Sequence, residues 1–134
     1  MSTPIALPAP VLELLRSGVR CFVATTDADG KPQLTQTWVD TDGTHVLVNT
    51  VEGHRKLANL RRDPRVSVAV CGTDDAAYWG LRGHVVAFTK EGAAEHIDEL
   101  AQRYTGGPYR AVPGSAGARV LLRIAVDRVV HRPW

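Results

Sequence analysis

The stretch richest in chemistry is Asn49-Thr50-Val51-Glu52-Gly53-His54-Arg55-Lys56-Leu57-Ala58-Asn59-Leu60-Arg61-Arg62, where a β-prone run passes into a helix-prone one. Free backbone N–H groups at a helix start attract anions, and His54, Arg55 and Lys56 in the first turn would add cationic donors. Cations there work against the helix dipole, so a bound phosphate would account for them. A solvated basic face on a connecting helix would account for them without any ligand. Elsewhere little suggests side-chain catalysis. The five histidines are scattered without an HxxxH arrangement, so no catalytic metal site is expected. Ser2, Ser17, Ser67 and Ser115 lie in no G-x-S-x-G elbow. Cys21 and Cys71 flank apolar runs without metal-type spacing, so neither a disulfide nor a structural zinc is expected. Tyr78, Trp79, Arg82 and His84 share one β-prone run; Tyr78 is the candidate for chemistry among them, with a structural aromatic as the alternative, and Trp79 belongs to the apolar side and the core.

The elements that must position these residues can be read from punctuation and periodicity. A short helix is expected from Pro10 to Ser17, stopped by Gly18, after an N-terminal arm over residues 1–9. Three extended segments follow, Arg20 to Thr26, Pro32 to Asp40 and Thr44 to Thr50, separated by Asp27-Ala28-Asp29-Gly30 and Thr41-Asp42-Gly43, and they read as an antiparallel meander. Val46 and Val48 alternate with His45, Leu47 and Asn49, which predicts cover on both faces of the third. Gly53 to Asp63 reads as a helix ended by Pro64, and Arg65 to Cys71 as the next strand. Ala77 to Thr89 is a long strand whose Gly80 and Gly83 predict a bend or bulge. Ala93, Ile97, Leu100, Ala101 and Tyr104 keep helical spacing, with Thr89 as the expected cap and Gly106-Gly107 as terminator. A Pro/Gly-rich loop over 106–117 leads to a last strand, Ala118 to His131. Six strands with short connecting helices give a mainly β (α+β) chain, expected to form a closed or nearly closed antiparallel barrel, because closure removes sheet edges.

Composition narrows the partners. The 134 residues suit one domain; 44% are hydrophobic and 22% charged, as in ordinary globular chains. A formal charge of +2 is too small for bulk attraction to nucleic acid, and Arg61, Arg62 and Arg65 have no aromatic stacking platform interleaved with them. No apolar run reaches membrane-span length, and MSTPIALPAP lacks the pattern of a signal peptide, so a cytoplasmic protein without membrane or nucleic-acid partners is expected.

The run VLVNTVEGHRKLANLRRDPRVSVAV, preceded by ATTDADGKPQLTQTWVDTDG, resembles the pyridoxamine 5'-phosphate oxidase-like split β-barrels of the flavin/deazaflavin oxidoreductase superfamily, and especially their F420-dependent actinobacterial branch. The resemblance is close from Phe22 to Val70 and looser over the later strands and helix. It implies a six-stranded antiparallel split barrel that works as a homodimer, with a phosphate-bearing cofactor at the subunit interface. By residue-to-residue match, Thr50, Arg55 and Lys56 take the phosphate positions with His54 close by; Thr35, Gln36, Thr37 and Trp38 take the segment beside the ring; Asn59 matches on the same helix; and Tyr78 falls in the cleft-lining strand. FMN enzymes of the family carry basic phosphate ligands on the second strand, whereas this chain has no Arg or Lys between Pro32 and Asp40. The resemblance therefore implies F420 before FMN and a reductase acting on a small conjugated substrate, the protonation step falling to solvent or Tyr78. It places Arg61, Arg62 and Arg65 either toward the acidic tail of F420 or on a solvated surface. The alternative it implies is a non-catalytic carrier or sensor of a flavin, haem or tetrapyrrole. A cofactor that carries the reaction also agrees with the lack of a nucleophile.

Overall fold

The computed structural model describes residues 5–73, 78–111 and 117–131. The chain runs α1 (Ala9–Leu15), β1 (Arg20–Thr26), β2 (Pro32–Thr37), β3 (Asp40–Thr41), β4 (Val46–Val51), α2 (Arg55–Arg62), β5 (Arg65–Cys71), β6 (Tyr78–Thr89), α3 (Ala93–Thr105) and β7 (Arg119–His131). The strands form one antiparallel sheet in the order β2-β1-β5-β6-β7-β4-β3. It is a half-barrel of the split-barrel type. The ladder stays open among the described residues, with β2 and β3 as its edges.

The inner face of the curled sheet carries the core. Cys21 and Val23 of β1, Val66, Val68 and Val70 of β5, Leu81 and Val85 of β6, Val120, Leu122, Ile124 and Val126 of β7 and Val46 and Val48 of β4 meet Val11 and Leu15 of α1 and Leu57 and Leu60 of α2. The period-2 burial of β1 and β5 follows from one face turned to this core. On the opposite face of β4 and β7, α3 packs over Leu47 and Leu121 through Ala93. β4 is therefore covered on both sides and buried along its whole length, as its residue pattern predicts.

The number of strands differs from the expected six because the segment 32–40 is broken. Trp38 stacks on Tyr104 with ring centroids 5.2 Å apart, and Val39 N–H donates to Tyr104 Oη at 3.0 Å. These contacts draw the chain off the β1 ladder, so Asp40–Thr41 forms a separate short strand against β4. The meander is corrected for the same reason: β2 pairs with β1, while β4 pairs with β3 and β7 at the other end of the sheet. Thr89 does not cap α3. Gly92, at φ 79°, precedes the first turn without a side-chain cap, and Thr89 Oγ1 accepts from Arg123 Nη1 at 3.2 Å. Gly106, at φ 76°, terminates the helix.

The bulge expected in β6 is present at Arg82/Gly83 against β7. A Cβ on Gly83 would stand 2.0 Å from Ala125 O, so only glycine allows the strands to approach there. Trp79 packs against the core edge and stacks on His131 at 3.8 Å between ring centroids. The expected start of this strand at Ala77 and residues 112–116 of the Pro/Gly-rich loop lie outside the described residues. Among the described residues, no helix is long and apolar enough to cross a membrane.

Candidate functional site

A cavity of ≈ 710 Å³ opens where the β2–β3 link, the end of β4, the start of α2 and the chain after α3 converge. One wall is Gln36, Thr37 and Trp38; the floor is Asn49, Thr50, His54 and Lys56; Arg119 of β7 closes one side, and Ile97 with the 105–110 segment forms the rest. Trp38 is held between Tyr104, which it stacks on, and Tyr109, which it meets edge-on at 6.4 Å. The cavity thus has an aromatic side and a cationic side.

The cationic side is short of counter-charge. Lys56 is only 7% exposed, because α2 turns it inward beside Leu57 rather than outward, and its ammonium donates to Thr35 Oγ1 at 3.4 Å. Among the described residues no carboxylate lies within ion-pair distance of it. Burial, reinforced by the Arg119 charge, lowers the Lys56 pKa, and only an ionised Cys21 would oppose this. Burial also pushes the Cys21 thiol up to about 12, so it stays neutral near pH 7 and supplies no negative charge. Arg119 is likewise drawn below the usual arginine value by burial, with Tyr109 opposing. Its Nε donates to Asn49 Oδ1 at 2.8 Å and its Nη1 to Tyr109 Oη at 3.2 Å, and the guanidinium lies over the Tyr109 ring.

Thr50 sharpens the picture. It is 2% exposed, and among the described residues its buried Oγ1 has no hydrogen-bond partner. An orphaned buried hydroxyl is costly unless something meets it. The first turn of α2 contains no acidic residue, and His54, at its N-cap, makes no side-chain cap. A hydroxyl without a partner and two cations without an acid among the described residues, beside a helix start with no side-chain cap, fit an anionic group such as a phosphate.

The structure brings Gln36, Thr37, Trp38, Thr50, His54 and Lys56 together around this cavity, with Thr35 beside Lys56. It sets the others apart. The Arg55 side chain is 68% exposed and faces Asp27 at 3.9 Å. Asn59 is buried and donates to Thr25 Oγ1 at 3.0 Å and Asp27 Oδ1 at 2.9 Å, tying α2 to the end of β1. Tyr78 lines a smaller cavity of ≈ 250 Å³ on the outer face of β1, β5 and β6. Arg61 is paired with Glu52, Arg65 with Asp63, and Arg62 bonds to Thr26 O and Asn59 Oδ1; none lines the main cavity.

Among the residues of the cavity that the sequence did not mark as site residues are Asn49, Ile97, Tyr109, Arg110 and Arg119. Asn49 carried a usable signal, a polar residue beside Thr50 in the otherwise apolar β4, whereas Arg119 is one of several charged residues of β7. Nothing local linked them, since they are 70 residues apart.

A curled antiparallel sheet plugged by two helices, with this pocket at its end, defines the split-barrel class. A family model described as pyridoxamine 5'-phosphate oxidase matches residues 7–132, and the chain belongs to that family. Among solved structures, it is similar to an F420 reductase, at 23% identity and a TM-score of 0.81 over 94% of this chain and 100% of the other. A conserved hypothetical protein from Mycobacterium tuberculosis is 30% identical, with a TM-score of 0.69 over 94% of this chain and 84% of its own. The General Stress Protein 26 from Bacillus anthracis str. Sterne is 16% identical, with a TM-score of 0.67 over 90% of this chain and 88% of its own. A comparison with curated proteins gave no match.

Proposed function

We propose that the chain is an F420-dependent reductase that passes a hydride to a small conjugated organic substrate. The observation that carries this reading is the cationic side of the pocket: Lys56 and Arg119, without an acidic partner among the described residues, beside the orphaned Thr50 hydroxyl. Those three side chains would hold a phosphate group, with His54 at the helix start next to them. Gln36, Thr37 and Trp38, with Thr35 beside Lys56, would lie along the ring. When bound, the reduced deazaflavin supplies the hydride. The chain's own part is to anchor, to orient and to keep water from the ring, for which the Trp38–Tyr109 wall is suited.

Two further observations favour F420 over FMN. β2 contains no Arg or Lys to serve as an extra phosphate ligand, and a structure named as an F420 reductase superposes along its whole length. Within one chain Tyr78 lines the smaller cavity and not the main one, which favours solvent as the proton source. The working unit in this reading is a homodimer, joined through the outer sheet face where Leu34 is 68% exposed.

Titration of the purified apoprotein with F420, FMN, FAD and haem tests the assignment. Tight F420 binding without FMN binding is expected, followed by hydride transfer to a conjugated acceptor without rapid oxygen consumption. Binding of haem alone would replace this reading with that of a carrier or sensor.

A further inference from the structure

Behind the cavity, a continuous hydrogen-bonded series runs between α3 and the sheet. Arg119 Nε donates to Asn49 Oδ1 at 2.8 Å; Asn49 Nδ2 donates to Ala93 O at 2.8 Å and lies 3.1 Å from His96 Nδ1. His96 Nε2 lies 3.0 Å from Asp40 Oδ2, and Arg103 Nη1 donates to Asp40 Oδ1 at 2.9 Å. Asn49, His96 and Asp40 are all buried.

Donor and acceptor capacity fixes the direction of the series. A guanidinium only donates, so Asn49 presents its oxygen to Arg119 and its NH₂ to Ala93 O and His96. His96 Nδ1 is then an acceptor, and the ring proton sits on Nε2, where Asp40 accepts it. Burial works against ionisation of Asp40, but the bonds from His96, the Thr41 N–H and Arg103 outweigh it and hold the carboxyl below its ordinary value. A reversed Asn49 amide would turn its NH₂ on the guanidinium and its oxygen on Ala93 O. The α3 partners therefore set Asn49, and Asn49 sets Arg119.

We propose that His96 is a positioning residue for the pocket: through Asn49 it holds the Arg119 guanidinium at the cavity wall, preset for the anionic group of a bound cofactor. His96 itself touches no ligand. Without His96, Asn49 keeps one α3 partner, Ala93 O, and is freer to turn; among the described residues Arg119 then has Tyr109 alone as a fixed partner, in a segment outside the sheet. The cofactor part of this proposal rests on the reading of the pocket given above; the placement of Arg119 does not.

The test pairs His96→Leu, which fills the volume but removes both ring nitrogens, with His96→Gln, whose amide offers one acceptor and one donor in their place. The affinity for F420 is expected to fall about 3- to 10-fold in His96→Leu, because a released side chain must be ordered again on binding, and to stay within about twofold of wild type in His96→Gln. NMR of the ligand-free protein gives an independent readout. The Arg119 Nε–H signal should be slow to exchange in wild type and His96→Gln and fast in His96→Leu, and ¹⁵N shifts should show His96 as the Nε2–H tautomer. The proposal is overturned if wild-type His96 carries its proton on Nδ1, if His96→Leu leaves the Arg119 signal unchanged, or if His96→Gln loses as much as His96→Leu. Should His96→Leu not fold, the tautomer measurement and His96→Gln decide. If wild type fails to bind F420, the cofactor reading falls, while the NMR outcomes still decide the role of His96.

Discussion

Replacing Lys56 by methionine should strengthen the empty protein and weaken the loaded one. The ammonium is almost wholly out of water, with one long bond to Thr35 and no acid beside it among the described residues. Methionine keeps most of the apolar stem and removes the charge. Leaving a buried polar group poorly satisfied costs about 1–3 kcal/mol, so the variant should gain on the order of 1–2 kcal/mol when empty, a rise in Tm of about 4–8 °C. A hydrogen bond to a charged group is worth about 1.5–3 kcal/mol, so the affinity for F420 should fall roughly 10- to 150-fold. The pH dependence has a definite sign. Burial lowers the folded pKa of Lys56 below the ordinary 10.5, so between the two values the unfolded chain holds more protons. This contribution makes the wild type gain stability as pH rises through that window, and the gap to the methionine variant should narrow. Thermal melts at pH 7 and in the alkaline range, with and without F420, check both halves. A lower Tm for the empty variant, or unchanged F420 affinity, would refute the reasoning.

Thr50→Val removes the orphaned hydroxyl at nearly constant shape; the empty protein should melt no lower than wild type, and F420 affinity should drop about 2- to 13-fold, the worth of one ordinary hydrogen bond. Calorimetric titration beside a melt separates the two effects, and an equal loss in both would make Thr50 a packing residue. Gly83→Ala forces a Cβ to within 2.0 Å of Ala125 O and should destabilise by about 3 kcal/mol or more, read as a lower urea midpoint; a shift below about 1 kcal/mol would mean that β6 and β7 can separate there at little cost.

Much of the fold was legible because its punctuation is local. β1 and β5 begin and end where the sequence places them, since Gly18, the Asp29-Gly30 turn and Pro64 act within a few residues. α2 and α3 declare themselves through Leu57 and Leu60 and through Ala93 to Ala101. The break after Thr37 was not legible, because it depends on Tyr104, 65 residues from Val39. The burial of Lys56 was missed for a related reason: helical spacing gives its angle to Leu57, but not that the β2–β3 link closes over it. Arg119 and Asn49 were invisible as a pair, because their register is set by the β4–β7 ladder and not by any local pattern.

The place of β7 in the sheet has a consequence for how the molecule comes into being. It lies between β6 and β4, yet it follows every other strand in the chain. Without it, the ladder falls into two fragments, β2-β1-β5-β6 and β4-β3. During synthesis the earlier strands can pair within each fragment, but β4 must wait about 70 residues for its partner, and contacts at such separation close late and slowly. On the nascent chain the pocket stays incomplete until β7 docks and brings Arg119 beside Asn49.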